Sequence, residues 1–395
     1  MATEGAPLTT DTEFDHTDPA FARNPDERFK TLREQCPILH SPKLGGFWLF
    51  TRYDDIQNAT RDPLTFSSAA GITLPPIGAS VPLPPLEVDP PEHSGYRKLL
   101  QQEFSRGRMQ QLEVSIRELT NEFIDGFIER GSADLMQEIA DPLPAVVIAE
   151  LMGFPRSDWE QFAELLAVMS KAAVEGDTEA GGKAAVAFFG HIGQALADRR
   201  ANPRDDLLTR VALAEIDGAT ISEEAALGTS WTIVVAGFET TVGGIGSLLM
   251  HIGSDPELKR RLLTDGSLIP KAVEETVRME APIQGMRRTL TQDVCIRDTR
   301  LSAGDHVWLS YSSANRDEEK FDDPDTFDLD RSPNRHFGFG DGIHRCVGAP
   351  LAQLEMRVVA EEVLRRMPRL RVDDLDAIEF WSVQSRKPLS LPCSW

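Results

Sequence analysis

His336-Phe337-Gly338-Phe339-Gly340-Asp341-Gly342-Ile343-His344-Arg345-Cys346-Val347-Gly348-Ala349-Pro350 is the stretch on which the reading of this chain turns. Glycines at 338, 340 and 342 let the backbone turn sharply and lie close to something flat. Cys346 follows, then Gly348, then Pro350 near a helix start, where a missing N–H costs little. Leu351, Leu354, Val358 and Val359 continue at helical spacing, with Glu362 and Arg365 on the polar side. A sulfur at a helix N-terminus sees unpaired N–H groups and the positive end of the dipole, and both favour thiolate over thiol. Such a thiolate suits a metal ligand. The plainer alternative is a buried free cysteine in a glycine-rich turn.

The 395 residues include 63 acidic and 41 basic side chains, a net charge of −22. So acidic a balance argues against nucleic acid or an anionic membrane as partner. Four cysteines, Cys36, Cys295, Cys346 and Cys393, lie far apart with no CxxC or Cys/His cluster, which argues against zinc and iron–sulfur sites. A reducing cytosol fits this usage. Residues 1–25 are polar and acidic, with no apolar signal core, so no targeting segment or N-terminal anchor is expected. The run from Trp231 to Ile252 has the length of a membrane span. Glu239, Thr240 and Thr241 interrupt it and its flanks lack anchors, so a buried helix is expected.

Taken in order, residues 1–24 read as a loose tail. Asp26–Gln35 reads as a helix, 38–40 and 46–51 as a hairpin, and 54–61 as a second helix. Seven prolines fall between Ser67 and Pro91. They exclude a regular helix, and an apolar loop of this length often covers a site. Glu92–Phe104 follows as a helix with His93 and Arg97 on one face. Met109, Leu112, Ile116, Leu119, Phe123 and Phe127 mark one amphipathic helix. Further helices are expected near 143–152, 157–172, 178–200 and 205–214. Ser222 can cap the next helix, with Glu223 and Glu224 in its first turn. If it runs to Ile252 it is roughly 45 Å long. Its centre, Ala236-Gly237-Phe238-Glu239-Thr240-Thr241, holds residues that weaken a helix interior. A Thr hydroxyl bonded to the carbonyl one turn earlier would bend it and open a groove for water or a diatomic ligand. Helices are expected again at 258–263 and 270–278, the latter with Glu275 and Arg278 one turn apart. At the surface such a pair is worth only a few tenths of a kcal/mol. Strand is expected over 289–296, and strand or turn near 381–383. Periodicity alone supports a large helical protein with some strands.

The pattern Phe339-Gly340-x-Gly342-x-His344-x-Cys346-x-Gly348 resembles the haem-binding signature of the cytochrome P450 family, the haem-thiolate monooxygenases. Three further motifs stand in family order before it: His93-x-x-x-Arg97, Gly237-x-Glu239-Thr240 and Glu275-x-x-Arg278. The resemblance covers nearly the whole chain from about residue 25. It implies the cytochrome P450 fold, mainly α with a small β region (α+β) and a long central helix over the haem. It implies one catalytic domain, 25–395, after the tail.

By this resemblance Cys346 is the proximal ligand of haem b iron, and a thiolate there favours O–O cleavage. His93, Arg97, Arg288 and His344 would pair the haem propionates, with Arg287 the neighbouring alternative to Arg288. Phe339 and Gly340 would lie against the cofactor beside the ligand loop. Thr240 would hydrogen-bond the bound oxygen, and Glu239, where many relatives have Asp, would relay protons from solvent. Glu275 and Arg278 would be structural, under the haem loop, with Arg316 completing their network. The proline-rich loop would cover the substrate pocket, with Ile72, Leu74, Ile77, Ile233 and Met286 as apolar walls. Gln284 to Met286 would also line it. Met169, Phe188 and Phe189 would face either substrate or core, and the end of the chain near 381–383 would touch substrate. No charged residue is placed to bind an ionic group.

The implied function is insertion of one atom of O2 into a hydrophobic small molecule, by hydroxylation or epoxidation, in a monomeric cytoplasmic enzyme. No flavin fold or iron–sulfur centre is legible, so electrons would come from a ferredoxin and an NAD(P)H-dependent ferredoxin reductase. Arg106, Arg108, Arg335, Arg345 and Arg357 would form a basic patch for that acidic partner, or else scatter as solvated charges. The alternatives are a peroxide-driven haem-thiolate enzyme, a non-catalytic haem sensor or binding protein, and a protein of this fold catalysing isomerisation or dehydration.

Overall fold

The computed structural model describes residues 13–18, 21, 25–75 and 82–395. Helix α1 (Pro25–Gln35) opens with proline and places Asp26 and Glu27 in its first turn, where the dipole favours them. Strands β1 (Ile38–Ser41) and β2 (Phe47–Phe50) form the expected antiparallel hairpin, Ile38 facing Phe50. Gly46 closes the turn at φ +92°, a conformation that favours glycine. Helix α2 (Tyr53–Arg61) and the short β3 (Phe66–Ser67) follow. Two later strands, β4 (Gly285–Leu290) and β5 (His306–Ser310), complete a sheet in the order β1-β2-β5-β4-β3. Strand β5 runs parallel to β2 and antiparallel to β4. The strand expected over 289–296 is broken: β4 ends at Leu290, and Val294–Ile296 pairs instead with Thr299–Leu301.

The N-terminal segment is not a loose tail where it is described. Phe14 is 0% exposed and packs edge-on to Phe21, and both join a cluster with Phe29, Leu39, Phe47 and Trp308. Beside them His16 stacks on Trp308 at 4.2 Å, and its Nε2–H donates to the Leu74 carbonyl at 2.7 Å. Burial lowers the His16 pKa from 6.5 to about 4, against a smaller pull upward from that hydrogen bond. Between these values the unfolded chain binds more protons than the folded one. The contribution is therefore complete above pH 6.5 and falls as pH drops toward 4. His16→Gln cannot titrate, so its urea midpoint should fall less between pH 7 and pH 4.5 than that of the wild type. Equal slopes for the two proteins would remove His16 from the acid response.

The helical region is built from α3 (His93–Glu103), α4 (Glu113–Phe127), α5 (Pro142–Met152), α6 (Trp159–Glu175) and α7 (Thr178–Ala201). It continues through α8 (Glu223–Ser254), α9 (Ile269–Glu280) and α10 (Ala349–Arg366). The single helix expected across 109–127 is divided at Leu112 into Arg106–Gln111 and Glu113–Phe127. The Ser222 Oγ caps α8, accepting from the Ala225 N–H at 3.0 Å. Helix α8 is long and apolar enough to cross a membrane, but 67% of its most apolar window is buried within the fold. Its neighbours are α5, α7, α9 and α10, which makes it the core helix. Small residues allow the close approach: a Cβ on Gly244 would sit 2.9 Å from the Met356 sulfur.

Candidate active site

The glycine-rich loop is fastened on every side before it reaches Cys346. Asn315 Oδ1 accepts from the Phe337 N–H at 2.6 Å, and the Phe337 ring stacks on Tyr311. A Cβ on Gly338 would lie 2.3 Å from Val277 Cγ1, so the loop lies flush on α9. Gly340 and Gly342 both adopt φ +67°. The Cys346 N–H then donates to the Phe339 carbonyl at 2.8 Å, closing the loop under its sulfur. Beneath the segment that feeds this loop, Glu275 binds Arg278, Arg331 and Asn334. Arg331 takes the place expected for Arg316, whose guanidinium turns instead to Asp26, Asp325 and the Met279 carbonyl.

The Cys346 sulfur lies deep in the fold yet keeps open surface, because it faces an internal cavity between α8, α10 and the loop. Burial raises the thiol pKa. The Gly348 N–H, Arg97, the Ala349 N–H and Arg345 oppose that shift. A metal cation at the sulfur would complete what these donors begin.

His93, Arg97, Arg288 and His344 also line this cavity. His93 is buried and its Nε2 has no hydrogen-bond partner among the described residues. The Arg97 guanidinium makes no ion pair or hydrogen bond among the described residues, and burial lowers its pKa. The His344 ring meets His93 edge-on at 4.6 Å, and its Nε2 lies 3.2 Å from Ser68 Oγ. Burial, then Arg288, lower the His344 pKa to about 3. Arg288 donates to the Arg287 carbonyl and the Tyr311 hydroxyl. Arg287 points the other way, its guanidinium donating to the Ala70 and Gly71 carbonyls. Of the two neighbours, Arg288 is therefore the one that lines the cavity.

Across from the sulfur, α8 presents Ala236, Gly237, Glu239 and Thr240. The Thr240 Oγ1–H donates to the Ala236 carbonyl at 3.0 Å, the expected back-bond. The helix runs uninterrupted through this back-bond, from Glu223 to Ser254. Glu239 is half-buried rather than buried. Phe339 and Gly340 line the cavity beside the cysteine. Ile72, Ile233 and Met286 form apolar wall as expected. Leu74 does not, being packed with the N-terminal cluster, and Ile77 lies outside the described residues. Gln284 is buried away from the lining, and Phe188 is core. Met169 is buried in the core as well, while Phe189 stacks on Trp231. The C-terminal contribution comes from Gln384 and Ser385, just beyond the expected 381–383.

One charged residue in the wall was not expected. Glu87, from the proline-rich loop, lines the cavity. The only local signal was an acid set in the apolar run Leu83-Pro84-Pro85-Leu86-Glu87-Val88. Ser68 and Tyr311, which contact His344 and Arg288, had no sequence signal at all. Of the five arginines of the expected patch, Arg106, Arg335 and Arg345 are exposed without an ion pair among the described residues. Arg108 is held by Glu103 at 3.0 Å, and Arg357 by Glu113 and Glu361 at 2.6 and 2.8 Å.

Among the described residues no group of three or more His, Cys, Asp or Glu could hold a metal ion. A metal held at Cys346 would therefore bring most of its own donors and take the thiolate from the protein. Among the described residues Arg97 and the His93 Nε2 lack partners, and with Arg288 beside them they would receive two carboxylates. A planar macrocycle with propionate arms, as in haem, fits both requirements.

Residues 182–378 match the family model described as Cytochrome P450. Cytochrome P450 107B1 of Saccharopolyspora erythraea is 37% identical over 379 residues, covering 91% of this chain and 92% of that protein. The methyl-branched lipid omega-hydroxylase of Mycobacterium bovis is 37% identical over 363 residues, covering 87% and 85%. Among solved structures, the cytochrome P450 PksS of the Bacillus subtilis 168 bacillaene polyketide synthase superposes with a TM-score of 0.89. Its identity is 33%, over 96% of this chain and 99% of that one.

Proposed function

The chain belongs to the cytochrome P450 family, and from that premise we propose that it inserts one atom of O2 into a hydrophobic small molecule, with Cys346 as the residue that would hold the iron of haem b. The observation that carries the site assignment is the convergence on one cavity of the Cys346 sulfur, the unpartnered His93 and Arg97, and the Glu239-Thr240 pair. When bound, haem supplies the O2 chemistry: one oxygen atom enters the substrate and the other leaves as water, consuming two electrons and two protons.

The residues of this chain divide the remaining work. The Gly348 and Ala349 N–H groups hold the Cys346 sulfur and temper its donation. His93, Arg97, Arg288 and His344 would fix the propionates and so the orientation of the ring. The apolar walls around Ile72, Ile233 and Met286 bind the substrate and exclude bulk water. The Thr240 hydroxyl holds a proton at the cavity, bonded in this structure to the Ala236 carbonyl. Glu239, one residue away and open to the cavity, would pass it replacements. An intact acid–alcohol pair favours O2 over a peroxide-driven reaction. The lipid hydroxylase and the polyketide-synthase P450 among the relatives support a large apolar molecule as the substrate class. Electrons would come from a ferredoxin and its NAD(P)H-dependent reductase. The exposed Arg106, Arg335 and Arg345 suit the acidic face of such a partner in the cytoplasm.

The test is turnover with NAD(P)H, a ferredoxin and its reductase, with product and hydrogen peroxide both measured. In Thr240→Ala the product formed per NAD(P)H should fall roughly tenfold, with peroxide rising in its place. Wild-type coupling in that variant would withdraw the role given to the hydroxyl. A total lack of oxygenated product across a broad apolar panel would favour the haem sensor.

A further inference from the structure

We infer that Glu87 sets the charge preference of the substrate pocket, selecting apolar molecules that carry a protonated amine and rejecting those that carry a carboxylate. This rests on the haem-monooxygenase reading above. On that reading the cationic wall residues, Arg97 and Arg288, are neutralised by the propionates. The acidic groups left in the wall are then Glu87 and Glu239, and Glu87 is the one set in the loop that covers the pocket.

The surroundings of Glu87 leave its charge only partly met. Its Oε1 accepts one backbone N–H, from Ile72 at 3.2 Å. A carboxylate has about four lone-pair positions, so among the described residues most of its accepting capacity is free. The Arg287 guanidinium acts on Glu87 through its charge, and both groups crowd Gly71, where an added Cβ would meet Arg287 Nη2 and lie 3.6 Å from Glu87 Oε1. Yet Arg287 gives its hydrogen bonds to the Ala70 and Gly71 carbonyls, and it forms no ion pair with Glu87. Burial raises the Glu87 pKa, with the Ile72 N–H and then Arg287 acting against it. Removing a carboxylate from water into an apolar cavity is costly unless it is paired, and an incoming ammonium group would supply the missing partner. The same field opposes a fatty-acid carboxylate, and rejection by an unpaired like charge is as effective in specificity as attraction.

A brace for the loop is the competing role, since the Ile72 contact ties residues 72 and 87 together. Glu87→Gln separates the two, because the glutamine oxygen can still accept from the Ile72 N–H while the charge is gone. The probes are N,N-dimethyldodecylamine, 1-dodecanol and dodecanoate, three molecules of one chain length and different charge. Each is titrated into haem-loaded wild type and variant, and binding is read from the spin-state shift, whose sign separates pocket binding from direct ligation of nitrogen to iron. In the wild type the amine should bind roughly tenfold tighter than the alcohol, and dodecanoate weakest. In the variant the amine and alcohol should converge to within about twofold, with alcohol affinity kept. Equal binding of amine and alcohol by the wild type, failure of the amine to bind, or survival of its preference in Glu87→Gln would each overturn the assignment. A wild type that lacks the thiolate signature in its reduced, CO-bound spectrum would instead fail the haem reading itself.

Discussion

Cys346→Ser should lose the long-wavelength Soret band of the reduced, CO-bound enzyme and fall to background turnover, while keeping its helical content. A serine oxygen has the reach of the sulfur but stays protonated near neutral pH, so it cannot act as a strong anionic donor. The loss expected is three orders of magnitude or more in rate, on the order of 4 kcal/mol in the barrier. No other cysteine can stand in. Cys393 is buried in a C-terminal strand, with its thiol pushed up to about 12 by burial and then by Asp373 and Asp134. Cys36 is buried beside the N-terminal cluster, its thiol donating to the Ile38 carbonyl. Cys295 is exposed and donates to the Arg297 carbonyl. None of the three lines the cavity. The measurement is the reduced CO difference spectrum with circular dichroism on the same sample. A retained thiolate band would mean that the sulfur facing this cavity is not the ligand, and every role built around it would need reassigning.

The parts of this site that could be read from sequence are those whose chemistry is local. The loop from Phe337 to Gly348 declares itself because its turn, its sulfur and its helix start lie within a dozen residues. The same holds for Ser222 as a cap and for Thr240, whose partner Ala236 is one turn away. What could not be read depends on partners distant in the chain. His16 finds the Leu74 carbonyl 58 residues on, so nothing near it signalled a buried segment. Arg287 and Arg288 are indistinguishable by type. They separate because successive side chains of β4 leave opposite faces, and because Ala70 and Gly71 turn their carbonyls toward one of them. Glu87 was hidden in the same way: its environment is made by Ile72 and Arg287, neither of which marks the position in sequence. Glu275 and Arg278 were visible as a pair, but their depth was not, and depth changes their worth by an order of magnitude.

Arg278→Lys should destabilise the enzyme by about 3–5 kcal/mol, a large share of the roughly 5–15 kcal/mol that separates folded from unfolded protein. Both Arg278 and Glu275 are 0% exposed. All five N–H groups of the guanidinium are used. Nε and Nη2 clasp the Glu275 carboxylate at 2.8 Å each, Nη1 serves the carbonyls of Asn315 and Pro324, and Nη2 also reaches that of Thr326. Lysine keeps the charge but offers three donors without the planar fork, so it must leave buried carbonyls or a carboxylate oxygen unpaired. Glu275 in turn binds the Asp328 N–H, Arg331 and Asn334, the segment that leads into the cysteine loop. Damage to the pair is therefore expected to reach the haem end first. Arg278→Lys should lose its cofactor at a lower urea concentration than it loses its helices, whereas the wild type should lose both together. A midpoint within experimental scatter of the wild type would return the pair to the few tenths of a kcal/mol of a solvated contact. Simultaneous loss of haem and helix in the variant would show that the pair holds the whole fold rather than the loop.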